Sequence, residues 1–486
     1  MLEHFIEKNV FRQVYLCEQL YDKKTIQIHE VAEQLEVCPV TVRNDLDTIV
    51  ELLEPQIQTV EKARNSCRII FDPACSHLEL TQKIYQRSNF LAILAQYLTG
   101  ERNWSTMADN TFISLSKVYT IRNDLMQFLA EMDYLTEAGE VVIPEKDYRY
   151  LLLALSRYTN QNQLTSLNHP LESACQQLID YVERHFFSRS YPPEERQLIQ
   201  LGISIGLQRA KTNPVFFTAE EKELAQHTPL FQLIHTGLQQ TDFALCRTED
   251  EQFYVYSLFN SRNYLSNSLE LMQKDFKVVY QNHIQYNPLV ANLAQRLNTS
   301  LNLSKEDQLL FEKAFLPFIR STWADTQLFL PEKIYLLDPQ QRELYRLIDQ
   351  ILRQWTKEHG LALRWNDNLI RKFTTNVSLL LTDQSMGTIE VFIAAPTDFK
   401  FLYYHQLLTE LLSEHFTVSS MICSDLAELV DDTFFCTERI ILCDTSLYQD
   451  DLKTENTQVY PITFQTIHDV ITQLNQQVCR LSANDG

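Results

Sequence analysis

Apolar residues at three- and four-residue spacing dominate the chain. They predict a mainly helical protein, broken by two hairpins early on and by alternating strands and helices at the end. Residues 29–35 have helical spacing, Glu36, Val37 and Cys38 supply a short turn, and Pro39 opens a second helix reaching about Leu52. Ala32 is the small residue needed where two helices cross closely, and Val37 is the apolar plug of the turn. Two strands follow, Ile57 to Val60 and Cys67 to Phe71, joined by a polar stretch that carries Lys62 and Arg64. This order of helix, turn, helix and hairpin predicts a winged helix-turn-helix unit whose second helix enters the major groove.

The same order returns downstream. An apolar helix over residues 90–98 precedes a run from Ser105 to Ser116, a second reading helix from about Lys117 to Leu129, and a hairpin from Tyr134 to Ile143 turning at Gly139. The hexapeptide Thr41-Val42-Arg43-Asn44-Asp45-Leu46 recurs 79 positions on as Thr120-Ile121-Arg122-Asn123-Asp124-Leu125. Aligned on that repeat, the second turn is one residue long, and its wing tip is acidic where the first is basic. From about His169 the pattern gives long amphipathic helices, including residues 171–187 and 194–210, then a second helical block from Asn287 to Asp383 in which residues 305–320 form one helix. Lys274 to Tyr286 reads as a connector between the blocks. Past Gly387 the pattern alternates: strands at 388–395, 417–423, 439–443 and 462–464, with helices at 398–414 and 465–481, predict a doubly wound parallel sheet.

The fold class expected is therefore mainly α: tandem winged helix-turn-helix domains, two all-helical domains and a C-terminal doubly wound α/β domain. The boundaries are 1–73, 74–165, 166–282, 283–385 and 386–486. Within each hexapeptide the two apolar positions lie four apart on one helix face, leaving the polar side chains to project elsewhere. Pro39, Thr41, Arg43 and Asn44 in the first unit, Lys62, Arg64 and Arg68 on its wing, and Lys117, Tyr119, Thr120, Arg122 and Asn123 in the second are the expected DNA contacts, to phosphates and base edges. Asp45 and Asp124, costly beside phosphate, are expected to bond within their domains.

Composition adjusts this picture. At 486 residues with 45% hydrophobic and 22% charged content the chain is a multidomain globular protein, and 8 glycines argue against a glycine-built phosphate cradle. The net charge of −21 falls mostly after residue 165, so DNA binding rests on local basic residues and is expected to be salt-dependent and weak per unit. Ten cysteines without a C-x-x-C pair or a zinc-spaced histidine indicate neither a disulfide framework nor a metal. No cofactor is expected, and no catalytic constellation appears. The apolar runs fall short of a membrane span and no targeting segment opens the chain, so a cytoplasmic location is expected.

Taken in order, these features resemble the Mga/AtxA family of transcriptional regulators over essentially the whole chain. The resemblance implies a DNA-binding regulator, an activator of the global or virulence type linked to sugar phosphotransfer signalling. It implies a homodimer joined through the C-terminal and helical domains, with phosphotransferase-system phosphocarrier proteins as further partners. The helical blocks are similar to phosphotransferase-system regulation domains, whose histidines accept phosphate. At the matching positions this chain has Gly202, Leu258, Ala314 and Asn376. His169, His235 and His283 remain as candidate phosphorylation sites. The final domain resembles an enzyme IIB domain, but the loop that would hold its phosphate-accepting cysteine reads Ala394-Ala395-Pro396-Thr397-Asp398. The rival reading is a protein-binding or metabolite-sensing scaffold that no longer touches DNA.

Overall fold

The computed structural model describes residues 2–484 apart from 161–168, 241–247, 302, 304–307, 324–328, 332, 362, 386–388, 414–415, 424–438 and 449–456. By its contacts the chain forms two compact units, one of residues 1–338 and 342–376, the other of 339–341 and 377–486.

The first unit starts with α1 (Lys8–Lys23), β1 (Thr25–Gln27), α2 (Ile28–Gln34), α3 (Pro39–Leu52), β2 (Ile57–Lys62) and β3 (Ser66–Phe71). The three strands form an antiparallel sheet in the order β1-β3-β2. Val14, Leu16 and Leu20 of α1 close its core against Val42, Leu46 and Ile49 of α3 and Ile69 of β3. Next come α4 (His77–Tyr85), α5 (Asn89–Leu98), α6 (Trp104–Thr111), α7 (Leu115–Glu131) and α8 (Glu145–Thr159). The second hairpin is smaller than expected: a single bridge, Leu135 to Val141, closed at Gly139, whose φ of 77° suits glycine.

Nine helices and one two-stranded ribbon complete this unit among the described residues: α9 (His169–His185), β4 (Arg189–Ser190), α10 (Pro193–Arg209), α11 (Ala219–Gln226), α12 (Pro229–Gln240), α13 (Glu249–Asn260), β5 (Leu265–Ser266), α14 (Leu269–Tyr280), α15 (Pro288–Leu301), α16 (Gln308–Trp323) and α17 (Pro339–Glu358). Helix α18 (Asp367–Ser385) follows. The stretch taken as a connector is in fact the end of α14 and a π-helical turn over Gln281–Gln285, because Val279 and Ile284 are buried and hold the segment in register with α15. Gly202 on α10 faces Leu258 on α13 so closely that a Cβ at Gly202 would lie 2.6 Å from a Leu258 methyl. These two positions, matched by resemblance to phosphorylatable histidines, are packed apolar contacts here.

Helix α8 is the hub of this unit. Arg149, wholly buried, donates through Nη1 and Nη2 to both carboxylate oxygens of Glu251 on α13, at 2.7 and 2.8 Å, and through Nε to Glu145 at 2.9 Å. Its guanidinium lies over the Tyr254 ring. Burial alone would lower the Arg149 pKa, but the hydrogen bonds to Glu251 and Glu145 outweigh it and the pKa is raised. Two residues earlier, Asp147 accepts two bonds from Arg364, at 3.0 and 3.1 Å, and one from the Tyr134 hydroxyl. Tyr150 bonds Ser257, and the Tyr158 hydroxyl donates to Glu3.

The second unit is a four-stranded parallel sheet, in the order β7-β6-β8-β9, of β6 (Ile389–Ala394), β7 (Phe416–Cys423), β8 (Arg439–Asp444) and β9 (Thr457–Ile462). Helices α19 (Asp398–Leu411) and α20 (Ile467–Asn484) cover one face through Phe401, Tyr404, Leu408, Ile467 and Leu474. The last strand ends at Ile462, where the sequence pattern starts it, because all six of its residues pair with β8. The four parallel strands with a helical crossover and the first strand inside the order give the expected doubly wound sheet.

Replacing Arg149 with Met should cost about 3–5 kcal/mol by leaving Glu251 buried without its partner. In urea unfolding the double variant Arg149→Met, Glu251→Leu should recover most of that loss; equal midpoints for single and double variants would show that the pair is not what holds these helices.

Candidate nucleic-acid interface

The first reading helix is held from behind and presented from in front. Asp45 points inward, 5% exposed, and accepts from Arg12 Nε at 2.7 Å and Gln13 Nε2 at 3.0 Å, both on α1. Asp45 therefore bonds within its domain, as expected of a carboxylate on a DNA-facing helix. Cys38 occupies the N-cap position with the Thr41 hydroxyl beside it, Sγ and Oγ1 at 3.1 Å, and Thr48 bonds back to the Asn44 carbonyl. What remains outward is Val40, Thr41 and Asn44, with Asp47 further along.

The wing is tied to this helix. Arg43 donates through Nη2 to the Arg64 carbonyl at the hairpin tip (3.1 Å), and Lys62 pairs with Asp47. Arg68 lies across β2 from Glu61 at 3.4 Å. Lys62 and Arg68 are thus partly neutralised by neighbouring acids, while Arg64 is exposed at the tip with no ion pair among the described residues. Arg43 combines the expected outward position with a bracing role that the sequence did not show. Lys23 and Lys24 were missed by the sequence reading; they enter β1, which pairs Thr25 with Arg68, and so add two exposed cations to the wing edge. A basic pair closing an amphipathic helix was the available signal. Val40, more than half exposed at the start of the reading helix, was also missed.

The second unit corrects the alignment made on the hexapeptide. Its turn is regular and as long as the first: Phe112 has a left-handed backbone at φ 55°, as Glu36 does, and Ser114 stands at the N-cap of α7 two residues later, as Cys38 stands at that of α3, though only Ser114 accepts a capping bond, from the Lys117 N–H. Val37 N–H donates to the Ala32 carbonyl and Ile113 N–H to the Ala108 carbonyl, at 2.9 and 3.2 Å. The two turns lie 76 residues apart and the hexapeptides 79, so the second hexapeptide sits three residues deeper into its helix. By position after the turn, Lys117 stands where Thr41 does, Tyr119 where Arg43 does, and Thr120 where Asn44 does. Buried Asp45 is matched by buried Ile121.

Lys117, Tyr119, Thr120, Arg122 and Asn123 are all exposed, but Arg122 lies 5.6 Å over the Trp104 ring, and Thr120 bonds the Ser116 carbonyl. The leading surface of this unit is apolar: Phe112, 95% exposed, Leu115 and Tyr119. Glu137 and Glu140 leave its wing acidic.

The histidines lie elsewhere. His169 opens α9. His235 is half-buried, with Nδ1 2.8 Å from the Gln252 side-chain oxygen and Nε2 2.8 Å from Gln239. Burial, with Arg320 nearby, pushes His283 down to about 3, so it stays neutral. Among the described residues no group of histidine, cysteine and acidic side chains could hold a metal, and no helix is long and apolar enough to cross a membrane.

A three-helix core with a three-stranded wing, its third helix presented outward, defines a winged helix-turn-helix. Residues 7–61, from α1 into the wing, match the family model of the M protein trans-acting positive regulator (MGA) helix-turn-helix domain. A helix-turn-helix of this type indicates a DNA-binding transcription regulator. No curated protein matches the chain.

Changing Asp45 to Ala strands Arg12 and Gln13 behind the reading helix, and should cost about 1.5–3 kcal/mol, the usual worth of hydrogen bonds to a charged group. Thermal unfolding checks this. An unshifted transition would mean that the reading helix is positioned without this contact.

Proposed function

We propose that the protein regulates transcription as a homodimer that places α3 in the major groove and the first wing against the backbone. The observation that carries this is the linkage of the wing to the reading helix through Arg43 and Lys62. It sets Arg64, the exposed Val40 and Asn44 and the half-buried Thr41 on one module. Asn44 suits an adenine edge and Val40 a thymine methyl, while Arg64, Lys23 and Lys24 suit phosphate. The second unit contributes Lys117 and Tyr119 in the positions nearest the groove, and its apolar tip and acidic wing favour positioning over sequence reading.

Dimerisation supplies what one reading head lacks. With few unpaired cations per head, a second linked head turns later contacts into intramolecular ones. The C-terminal domain offers Phe399 and Leu402, both more than 60% exposed on α19, as apolar area for that interface. Phosphocarrier chemistry in this domain is disfavoured. The Ala395 amide is already bonded to the Cys423 carbonyl, Pro396 has none, and Cys423 and Cys443 are buried, with burial pushing the Cys443 thiol up to about 11. A link to phosphotransfer proteins then rests on protein contact or on His169 or His235. The rival scaffold reading draws its support from the acidic total and from the acids that cover Lys62 and Arg68.

Fluorescence anisotropy of the full chain on curved, AT-rich and random duplexes over a salt titration separates these. Arg64→Ala should weaken binding and flatten the salt slope by about 0.9, the value for one phosphate. Lys117→Ala should weaken binding more than Arg122→Ala, whose guanidinium already rests on Trp104. No binding to any duplex at low salt would favour the scaffold.

A further inference from the structure

A cleft of about 660 Å³ opens where the turn of the first helix-turn-helix meets the second helical block. One wall is Lys8 and Arg12 with the turn residues 34–37; the other is the extended segment 334–337 with Arg342 on α17 and Arg371 on α18. Its size falls within the range of small-molecule sites.

The charge of its lining runs against that of the chain. Lys8, Arg12, Arg342 and Arg371 line it against Glu3, Glu36 and Asp367, one net positive charge with histidine neutral, in a protein of net charge −21. Of its three acids, Asp367 already accepts from Arg371 and the Tyr345 hydroxyl, Glu3 accepts from Tyr158, and Glu36 is exposed. The cations retain donors. Among the described residues Lys8, which is exposed, makes no ion pair, Arg342 spends only Nε, on the Leu337 carbonyl at 3.0 Å, and Arg12 spends Nε on Asp45. Ile6, Ile334 and Leu337, all buried, give the cleft an apolar base.

We propose that this cleft is an effector site for a small organic anion, a phosphate ester or a polycarboxylate, whose charge meets Lys8, Arg12 and Arg342 and whose body rests on the apolar base. Guanidinium and ammonium donors converging from two sides suit an anion with several oxygens. The occupant touches the turn that sets the reading helix and the arginine that holds Asp45 behind it. Bound ligand and DNA affinity are therefore linked, and this half of the proposal rests on the DNA-binding reading.

Calorimetric titration of the full chain without DNA, using glucose 6-phosphate in one arm, citrate in another and glucose as the uncharged control, tests the site itself. One anion should bind and glucose should not. Lys8→Gln and Arg342→Gln should each weaken that binding about tenfold or more, as expected for a lost charge-assisted hydrogen bond. Lys8 is exposed and supports no neighbour, so its variant tests the site without disturbing the fold. Which arm binds assigns the anion class. Absence of binding in both, or binding that neither substitution changes, overturns the site. Anisotropy on DNA with and without the bound anion then tests the linkage: a shift in affinity that Lys8→Gln abolishes supports it, and an unchanged affinity overturns it. Because the first titration contains no DNA, failure of the DNA reading is distinguishable from failure of the site.

Discussion

The buried guanidinium of Arg149 is the contact on which the larger unit depends. A cation taken wholly out of water is tolerated only where its donors are satisfied, and here five acceptor or ring contacts meet it: two oxygens of Glu251, Glu145, the Asn213 carbonyl and the Tyr254 ring. The geometry leaves α8 little freedom to slide or turn against α10 and α13. Asp147, two residues away, fixes the same helix to Arg364 of the second helical block and to Tyr134 at the base of the second wing. One helix that belongs by sequence to the second helix-turn-helix unit is thus clamped to both helical blocks. A change of packing in either block has a direct mechanical route to that module, and the segment that bonds Glu18 through the Ile334 amide gives the first module a route as well.

Much of this fold was legible in the sequence because it obeys a period. The reading helix from Pro39, the wing strand β3 and α5 all follow the spacing of their buried residues. What escaped is what depends on partners far away in sequence. Strand β1 has three residues and exists only because β3 lies beside it, pairing Ile26 with Cys67. In Lys274–Tyr286 the apolar residues Phe276, Val278, Val279, Tyr280 and Ile284 bunch together, and packing of Val279 and Ile284 decides the state of the segment. The last strand was displaced because its pairing with β8, rather than its own alternation, sets its limits.

The repeated hexapeptide shows the limit most clearly. Two amphipathic helices with the same need, apolar residues four apart and polar groups outside, arrive at the same six residues. Their register is set elsewhere, by the left-handed residue and the cap before each helix. Those features are Glu36 and Cys38 in one unit and Phe112 and Ser114 in the other, pairs with no residue in common. Sequence identity therefore marked similar helices without marking equivalent positions. The consequence reaches the chemistry: the aspartate that braces one helix from behind has an isoleucine as its structural counterpart, and the arginine beside the wing has a tyrosine.

The candidate site was legible by residue type but not by pairing. Lys62 and Arg68 read as free cations on paper, yet Asp47 and Glu61 stand against them. In exposed pairs the attraction is small and screened, so each acid hands its cation to a phosphate at little cost when geometry favours it. Before that exchange the pair presents almost no net field. A protein with a charge of −21, whose wing cations Lys62 and Arg68 are matched internally, is repelled by DNA at a distance and attracted only at close fit, where Arg64 at the tip can reach a phosphate. Specificity in such a molecule comes from suppressing loose contacts as much as from strengthening correct ones. The acidic total that first counted against DNA reading is, by this argument, part of how a reading head with few basic residues stays selective.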